Sequence, residues 1–498
     1  MNRREFLGTL TSVGAGQLMP GSTTARATDV RPSGRRPNIL WLISEDTSPD
    51  LACYGTPVVK TPNFDRLASQ GARYTNAFAT APVCSPSRSA LMTGMVQTTI
   101  GAHQHRSHRM DGYTLPEPVE VITAYFRRAG YFTANVRAPA PGVKGTGKTD
   151  FNFKPKQKPF DGTDWSQRKP GQPFFAQVNF KLTHRTFVRD KNNPIDPAAV
   201  EVPPYYPDHP ITRRDWADYL ESMQVLDRQV GQVLDRLERE GLDDNTLVIY
   251  FGDHGRPHVR GKQWLYEGGI RVPMIVRWPG HVRPGTVVDD LVSLIDLAPT
   301  CMTAAGFTPP AHLQGNVFLG PDAKKRRYIF AARDRCDETP DRIRCVRTRR
   351  YKYIRNFHPE RPYTQFNAYK YRQYPVLTLL HVLHGQGKLT PAQARFMAPA
   401  RPKEELYDLK NDPHEVHNLC ARPEAQAILN GLRKALDQWI ERTHDKGATP
   451  EPVTAFDEAR ALARTKKAKR LTERGLPEDL TPEQYLSYWA KKLLKNGK

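Results

Sequence analysis

Cysteine is scarce in this chain: six residues in 498, at positions 53, 84, 301, 336, 345 and 420. That is too few for a disulfide scaffold, and their spacing fits no metal-ligand pattern. Cys336 and Cys345 could at most pair across a hairpin. Long apolar runs are missing as well. No stretch approaches the roughly 20 residues a membrane-spanning helix needs, so the sequence offers no stable membrane anchor. Zinc-finger spacing and an aromatic RNA-binding signature are both absent, which argues against nucleic acid as a partner. There are no internal repeats. Acidic residues are in deficit, 52 Asp and Glu against 74 Lys and Arg, for a net charge of +22. Such a balance favours anionic partners, or simply solubility. With nucleic acid set aside, an acidic polymer such as a sulfated polysaccharide satisfies the same electrostatics.

At this length the chain can bury a large core and hold two domains. Its start is a separate message. Asn2-Arg3-Arg4-Glu5-Phe6-Leu7-Gly8 sets paired arginines before a weakly apolar stretch, Phe6 to Met19, and Ala25-Arg26-Ala27 offers a small-residue cleavage site. Residues 1–27 thus resemble a twin-arginine export signal. That implies the twin-arginine translocation machinery as a partner and a periplasmic or extracellular destination in a bacterium. Residues 28–36 read as a polar linker.

Ile39–Ser44, Phe174–Phe180 and Thr246–Phe251 are short apolar runs of the kind buried in a parallel sheet. Ala72–Phe78, Tyr131–Val136 and Pro273–Arg277 read as further strands. Pro62–Gln70 and Ile122–Ala129 read as helices. Trp216–Arg239 reads as a long amphipathic one: Tyr219, Met223, Leu226, Val230, Val233 and Leu237 recur at helical spacing, and Gly241 closes it. Alternating strands and helices predict an α/β fold, a large, mainly parallel sheet sandwiched by helices over residues 37–322. Tyr328–Ala332 and Arg349–Arg355 read as strands of a smaller antiparallel sheet, with Ala425–Glu441 as a covering helix, in a C-terminal domain over 323–450. Residues 356–400 read as an insertion or binding loop. Residues 451–498 read as a basic extension, with a basic run from Arg464 to Arg474 and an appended helix from Pro482 to Leu494.

Chemistry concentrates in Pro82-Val83-Cys84-Ser85-Pro86-Ser87-Arg88-Ser89-Ala90-Leu91-Met92-Thr93-Gly94. Pro86 suits a first helical turn and Gly94 the residue just past a helix end. Cys84 then sits where free N–H groups attract anions, and Arg88, about one turn on, faces the same way. The alternative is a buried cysteine beside a turn. Glu45-Asp46 and Asp253-His254 each end a buried strand, where ligands of open α/β sheets bind. Adjacent acids repel unless a cation or base lies between them. Oxygen ligands from two strand ends suit Ca²⁺, and Mg²⁺ less well.

Cys84-Ser85-Pro86-Ser87-Arg88 resembles the C-x-P-x-R signature of type I sulfatases, alkaline-phosphatase-like enzymes whose cysteine is oxidised to formylglycine by a formylglycine-generating enzyme. Further likeness lies in Arg36 to Asp46, Thr61 to Ala68, Phe251-Gly252-Asp253-His254-Gly255, Tyr266 to Pro273 and Glu405 to Pro413, in family order over roughly residues 36 to 445. The resemblance implies a metal shell of Glu45, Asp46, modified Cys84, Asp253 and His254. Two members depart from the pattern. Glu45 stands where many relatives have Asp, and His254, where they often have Asn or His, could instead hydrogen-bond the sulfate. It also implies catalytic roles for Cys84, Arg88, Lys148, His184 and Lys262. Asp150 replaces a histidine that many relatives carry two residues after that Lys. His103, His105 and His108, with Arg106 and Arg109, either line the pocket or decorate a polar loop. Asp334, Arg335 and Arg344 either approach the pocket or form surface salt bridges.

The resemblance implies a sulfuric ester hydrolase that removes sulfate from a sulfated carbohydrate by a metal-assisted formylglycine nucleophile, with sulfamate cleavage within its range. The same fold and signature also serve phosphonate and phosphate diester hydrolases. A non-catalytic polyanion-binding protein would keep the fold, the basic tail and Asp150.

Overall fold

The computed structural model describes residues 35–108, 111–139, 143–451 and 453–494. The export-signal expectation, residues 1–27, lies outside them, as does Arg109. In chain order the first part contains β1 (Asn38–Ser44), α1 (Pro62–Ser69), β2 (Ala72–Phe78), α2 (Cys84–Thr93), α3 (Ile122–Arg128), β3 (Phe132–Arg137) and β4 (Phe174–Phe180). Then come α4 (Pro210–Arg239), β5 (Thr246–Gly252), α5 (Glu267–Ile270), β6 (Arg271–Arg277), β7 (Thr286–Ser293) and α6 (Leu297–Ala304). The second part contains β8 (Ile329–Arg333), β9 (Ile343–Arg347), β10 (Tyr351–Asn356), α7 (Ala368–Gln373), α8 (Pro375–Gly385), α9 (Pro391–Ala394), β11 (Glu404–Asp408), α10 (Gln426–Arg442), α11 (Val453–Glu473) and α12 (Pro482–Leu494).

Among the described residues the large sheet has the order β3-β4-β1-β5-β6-β2-β7. β6 alone runs against its neighbours. β1 is wholly buried because both of its faces are covered. Side chains alternate across a strand. Leu40 and Leu42 therefore join α1 and α4 through Phe64, Leu67, Met223 and Leu226. Ile39, Trp41 and Ile43 join α2, α3 and α6 through Leu91, Phe126 and Leu297. Burying apolar surface on both faces is what holds the sheet at the centre of the molecule.

A second, antiparallel sheet has the order β11-β10-β9-β8. Leu429, Leu432, Leu436 and Trp439 of α10 cover it, packing with Val346, Tyr353 and Leu406. This is the smaller C-terminal domain expected from the sequence.

Several elements differ from expectation. α4 starts at Pro210, not Trp216: the His209 side chain accepts from the Ile211 N–H and Pro210 fills the first helical turn. Residues 356–400 are not one loop but carry α7, α8 and α9. The basic run 464–474 lies mostly within α11. β7, β9 and β11 are further strands. Cys336 and Cys345 are both free thiols. No helix among the described residues is long and apolar enough to cross a membrane.

Candidate active site

β1 lies between β4 and β5, so three parallel strand ends deliver residues to one spot. β1 runs into Glu45 and Asp46, β5 into Asp253 and His254, and β4 toward His184. The Asp253 N–H donates to the Ser44 carbonyl at 3.0 Å, which locks the two acid-bearing ends together. α2 brings Cys84, the candidate nucleophile. Its N-cap, Val83, is extended, and Gly94 ends it at φ +66°, a left-handed position that suits glycine. The Gln263 N–H donates to the Pro82 carbonyl at 2.8 Å, tying the segment that carries Lys262 to the entry of α2.

Cys84 Sγ lies 3.2 Å from His254 Nε2, 3.5 Å from Lys262 Nζ and 3.8 Å from Asp46 Oδ1. His254 Nε2 is 3.1 Å from Asp46 Oδ1 and 3.7 Å from Asp253 Oδ1. Lys262 Nζ donates to both Asp46 oxygens, at 2.9 and 2.7 Å. All of these side chains are buried. Burial opposes the thiolate, but Lys148, Lys262 and His254 outweigh it and hold the Cys84 thiol below its ordinary value. Burial likewise opposes the Asp46 carboxylate, and Lys262, His184 and His254 outweigh it, leaving that group well below the usual range. His254 is pushed up: Asp253 and Asp46 overcome the burial that would discharge it.

Arg88 is 2% exposed and its Nε donates to Asp253 Oδ2 at 2.9 Å. Its Nη1 donates to Asn179 Oδ1 at 2.8 Å and to the Lys148 carbonyl at 3.3 Å. Its Nη2 is buried with no hydrogen-bond partner among the described residues. A buried guanidinium nitrogen left open is costly unless an anion fills it.

Lys148 is brought in by close packing. A Cβ on the preceding Gly147 would stand 2.4 Å from Asn135 Oδ1, so only glycine lets this segment lie against β3. Lys148 Nζ donates to Glu45 Oε2 at 2.8 Å and lies 3.8 Å from Asp150. The Glu45 carboxylate is therefore turned to a lysine. The Asp46, Cys84 and His254 ligand atoms lie within 4.8 Å of one another. His184 Nε2 is 3.9 Å from Asp46 Oδ2, and its Nδ1 donates to the Arg185 carbonyl at 2.7 Å. Burial holds His184 below its ordinary value.

Cys84 opens into a cavity of about 390 Å³. Besides His184 and Lys262, its walls include His105, Arg106, Arg335 and Asp337, together with residues of α7 and α11. The alternatives left open at 103–109 and 334–344 thus divide. His105, held by Asp337 at 3.0 Å, Arg106 and Arg335 line the cavity. His108 instead pairs with Asp111 and stacks on Tyr113. His103 is buried without lining the cavity, and Arg344 pairs with Asp334 and Asp445 in the interior. Asp150 takes a double hydrogen bond from Arg106, at 3.1 and 3.0 Å. Asp46, Arg106, Asp150 and Asp337 all have positive φ, between 49° and 61°. Left-handed backbone at non-glycine residues is costly and gathers at functional sites.

The donor chemistry fits a divalent cation. Two carboxylates and an imidazole converge beside the nucleophile, and oxygen donors of this kind suit a hard ion. Positive groups ring the same spot. The arrangement defines a class: an anion-binding hydrolase centre, with its candidate nucleophile at a helix start, beyond the carboxyl ends of a mainly parallel, alkaline-phosphatase-like sheet. The family profile for sulfatases matches residues 37–307, and that for the C-terminal part of N-sulphoglucosamine sulphohydrolase matches residues 252–377. An ulvan-active sulfatase of Formosa agariphila is 35% identical over 467 residues, covering 84% of this chain and 76% of the relative. The human N-sulphoglucosamine sulphohydrolase is 27% identical over 459 residues, covering 82% and 90%. A solved structure in complex with its substrate D-glucosamine-2-N,6-O-disulfate shares the fold at a TM-score of 0.59 and 17% identity, covering 84% of this chain and all of that one. The chain belongs to the sulfatase family and is a sulfatase, a member of a family that generally uses a metal ion and formylglycine.

Proposed function

We propose that this sulfatase removes sulfate from a sulfated carbohydrate outside the cytoplasm, with residue 84 acting as formylglycine. The observation that carries the reading is the placement of Cys84 Sγ. It starts the C-x-P-x-R helix, within 3.8 Å of His254, Lys262 and Asp46, beside the unpartnered Nη2 of Arg88. The names of the two relatives, one acting on ulvan and one on N-sulfated glucosamine, support a carbohydrate ester or sulfamate as substrate.

Asp46, Asp253, His254 and residue 84 would hold the cation, Ca²⁺ in preference to Mg²⁺ because Ca²⁺ accepts an irregular, flexible set of ligands from separate strand ends where Mg²⁺ demands a near-ideal octahedron. Glu45 joins them where it gives up Lys148. When bound, the ion draws in the anionic ester and lowers the pKa of the attacking hydroxyl. Hydrated formylglycine would supply two hydroxyls on one carbon, one to displace the sugar oxygen from sulfur and the other to lose its proton so that the aldehyde re-forms as sulfate leaves. A plain thiol lacks that second hydroxyl. Arg88 fixes Asp253 and turns its Nη2 to a sulfuryl oxygen. Lys148, half-buried, and Lys262, buried, would face charge that develops on the sulfuryl oxygens. Lys262 would also donate to the departing alcohol oxygen. His184, whose Nδ1 proton is committed to the Arg185 carbonyl, offers Nε2 as an acceptor.

Export by the twin-arginine route, carried by residues 1–27, belongs to the same reading. It would allow Cys84 to be modified in the cytoplasm before transit, because that route moves folded proteins. The test is mass spectrometry of the peptide containing Cys84, made in the native host, together with a Cys84→Ala variant. Formylglycine at 84 and a folded, inactive variant are expected. An unmodified thiol throughout, or full activity in Cys84→Ala, sinks the mechanism.

A further inference from the structure

The cavity that holds Cys84 has one wall the chemistry does not use. α11 turns Glu458, Ala459, Leu462, Ala463 and Lys466 into it. Those positions fall on one helical face, at spacings of three and four. α11 and α12 lie beyond both profile matches, which end at residues 307 and 377. They are nonetheless firmly built in. Arg335, itself in the cavity wall, clamps Glu451 at 2.6 and 2.8 Å just before α11 begins. Arg474 donates to the Arg372 carbonyl at 2.6 Å. Leu471 of α11 and Tyr485, Trp489 and Leu493 of α12 bury a cluster with Ile211 of α4.

The cavity face of α11 has a definite chemistry. Leu462 is 54% exposed. A lone exposed leucine carries no message. Set between Glu458 and Lys466, opposite a nucleophile, it makes a surface with an apolar centre and charged edges. A pyranose ring has the complementary surface, an apolar C–H face bordered by hydroxyls. Lys466 is in no ion pair among the described residues. Arg372 of α7 lines the same cavity, and among the described residues only its Nε is committed, to the Ala368 carbonyl at 2.9 Å. Glu338, also in the wall, is pushed up to about 7 by burial, so it opposes an incoming anion only in part at neutral pH.

Resting on the carbohydrate reading, we infer that α11 is a sugar-recognition wall: Leu462 takes the C–H face of a ring, Glu458 its hydroxyls, and Lys466 with Arg372 a second anionic substituent. The substrate class is therefore a carbohydrate with a second negative charge, a carboxylate or a further sulfate, near the sulfate that is removed.

The test is calorimetric binding to Cys84→Ser protein, with two probes: a sulfated disaccharide bearing one carboxylate, and the same sugar with the carboxylate reduced to an alcohol. The carboxylate form should bind at least about tenfold tighter, a difference of about 1.4 kcal/mol. Lys466→Glu should abolish that preference. Lys469→Glu, the same charge change on an exposed residue of α11 outside the cavity wall, should keep it. Absence of the preference, or its equal loss in both variants, overturns the wall. Sulfate release by protein with Cys84 intact is scored separately. Binding preference without release supports the wall and counts against the hydrolase reading; release without preference does the reverse.

Discussion

Arg88 shows how much of this site rests on single buried charges. Its partner Asp253 is fully buried, and both Asp253 oxygens are engaged, Oδ1 by the Asp46 and His254 N–H groups and Oδ2 by Arg88. Removing one member of a buried pair strands the other charge, at a cost of about 3–5 kcal/mol. Arg88→Met should therefore lower unfolding stability by about that amount in urea titration, besides losing activity. A loss below about 1 kcal/mol would mean that Asp253 is not held as a charge by Arg88. Cys84, Arg88, Asp46 and Asp253 were legible in the sequence because short motifs carry them at strand ends and a helix start, and Lys262 through the family resemblance, nine residues after Asp253. Their partners were not. Lys148 and Glu45 stand 103 positions apart, and Arg106 and Asp150 stand 44 apart. No local pattern links such residues. The Arg106–Asp150 pair gives Asp150 a physical explanation: the guanidinium compensates a carboxylate that is almost fully buried.

Among the elements, β9 was hidden by its own charges. Arg344 and Arg347 sit in Ile343–Arg347, which reads as polar, yet every residue of that strand is buried. Ion pairs with Asp334, Asp445 and Glu267 make the burial tolerable. α4 was missed only at its start, where the cap comes from His209 rather than from the more usual Ser, Thr, Asp or Asn. β11 is tied to α10 by Glu404 and Arg433, with N···O distances of 2.8 and 2.5 Å. Hydrogen bonds from Arg433, set against a smaller burial penalty, bring Glu404 down to about 2. A carboxylate lowered on folding adds stability above its unfolded value, about 4.3, and loses it as pH falls through the folded one. Glu404→Gln should thus be less stable than the parent at pH 7. In urea unfolding the gap should close as pH drops from about 4.3 toward 2. A gap that stayed constant with pH would falsify the link.

At the scale of the whole molecule the +22 charge acts at long range. Raising salt from about 0.1 M to about 1 M shortens the screening length from about 10 Å to about 3 Å. kcat/KM on a sulfated polysaccharide should therefore fall more steeply with salt than on a sulfated monosaccharide, since a polymer feels more of the surface. Equal slopes would show that the excess charge serves solubility alone. The sequence by itself determined the α/β class, the family and the candidate nucleophile, because buried strands, a capped helix and a five-residue signature are local patterns of hydrophobicity and backbone preference. Only the tertiary structure decided which charges neutralise one another, and that the basic C-terminal segment returns as α11 to wall the catalytic cavity. Those are contacts between residues far apart in the chain, set by how the two sheets and their helices pack, and no local spacing encodes them.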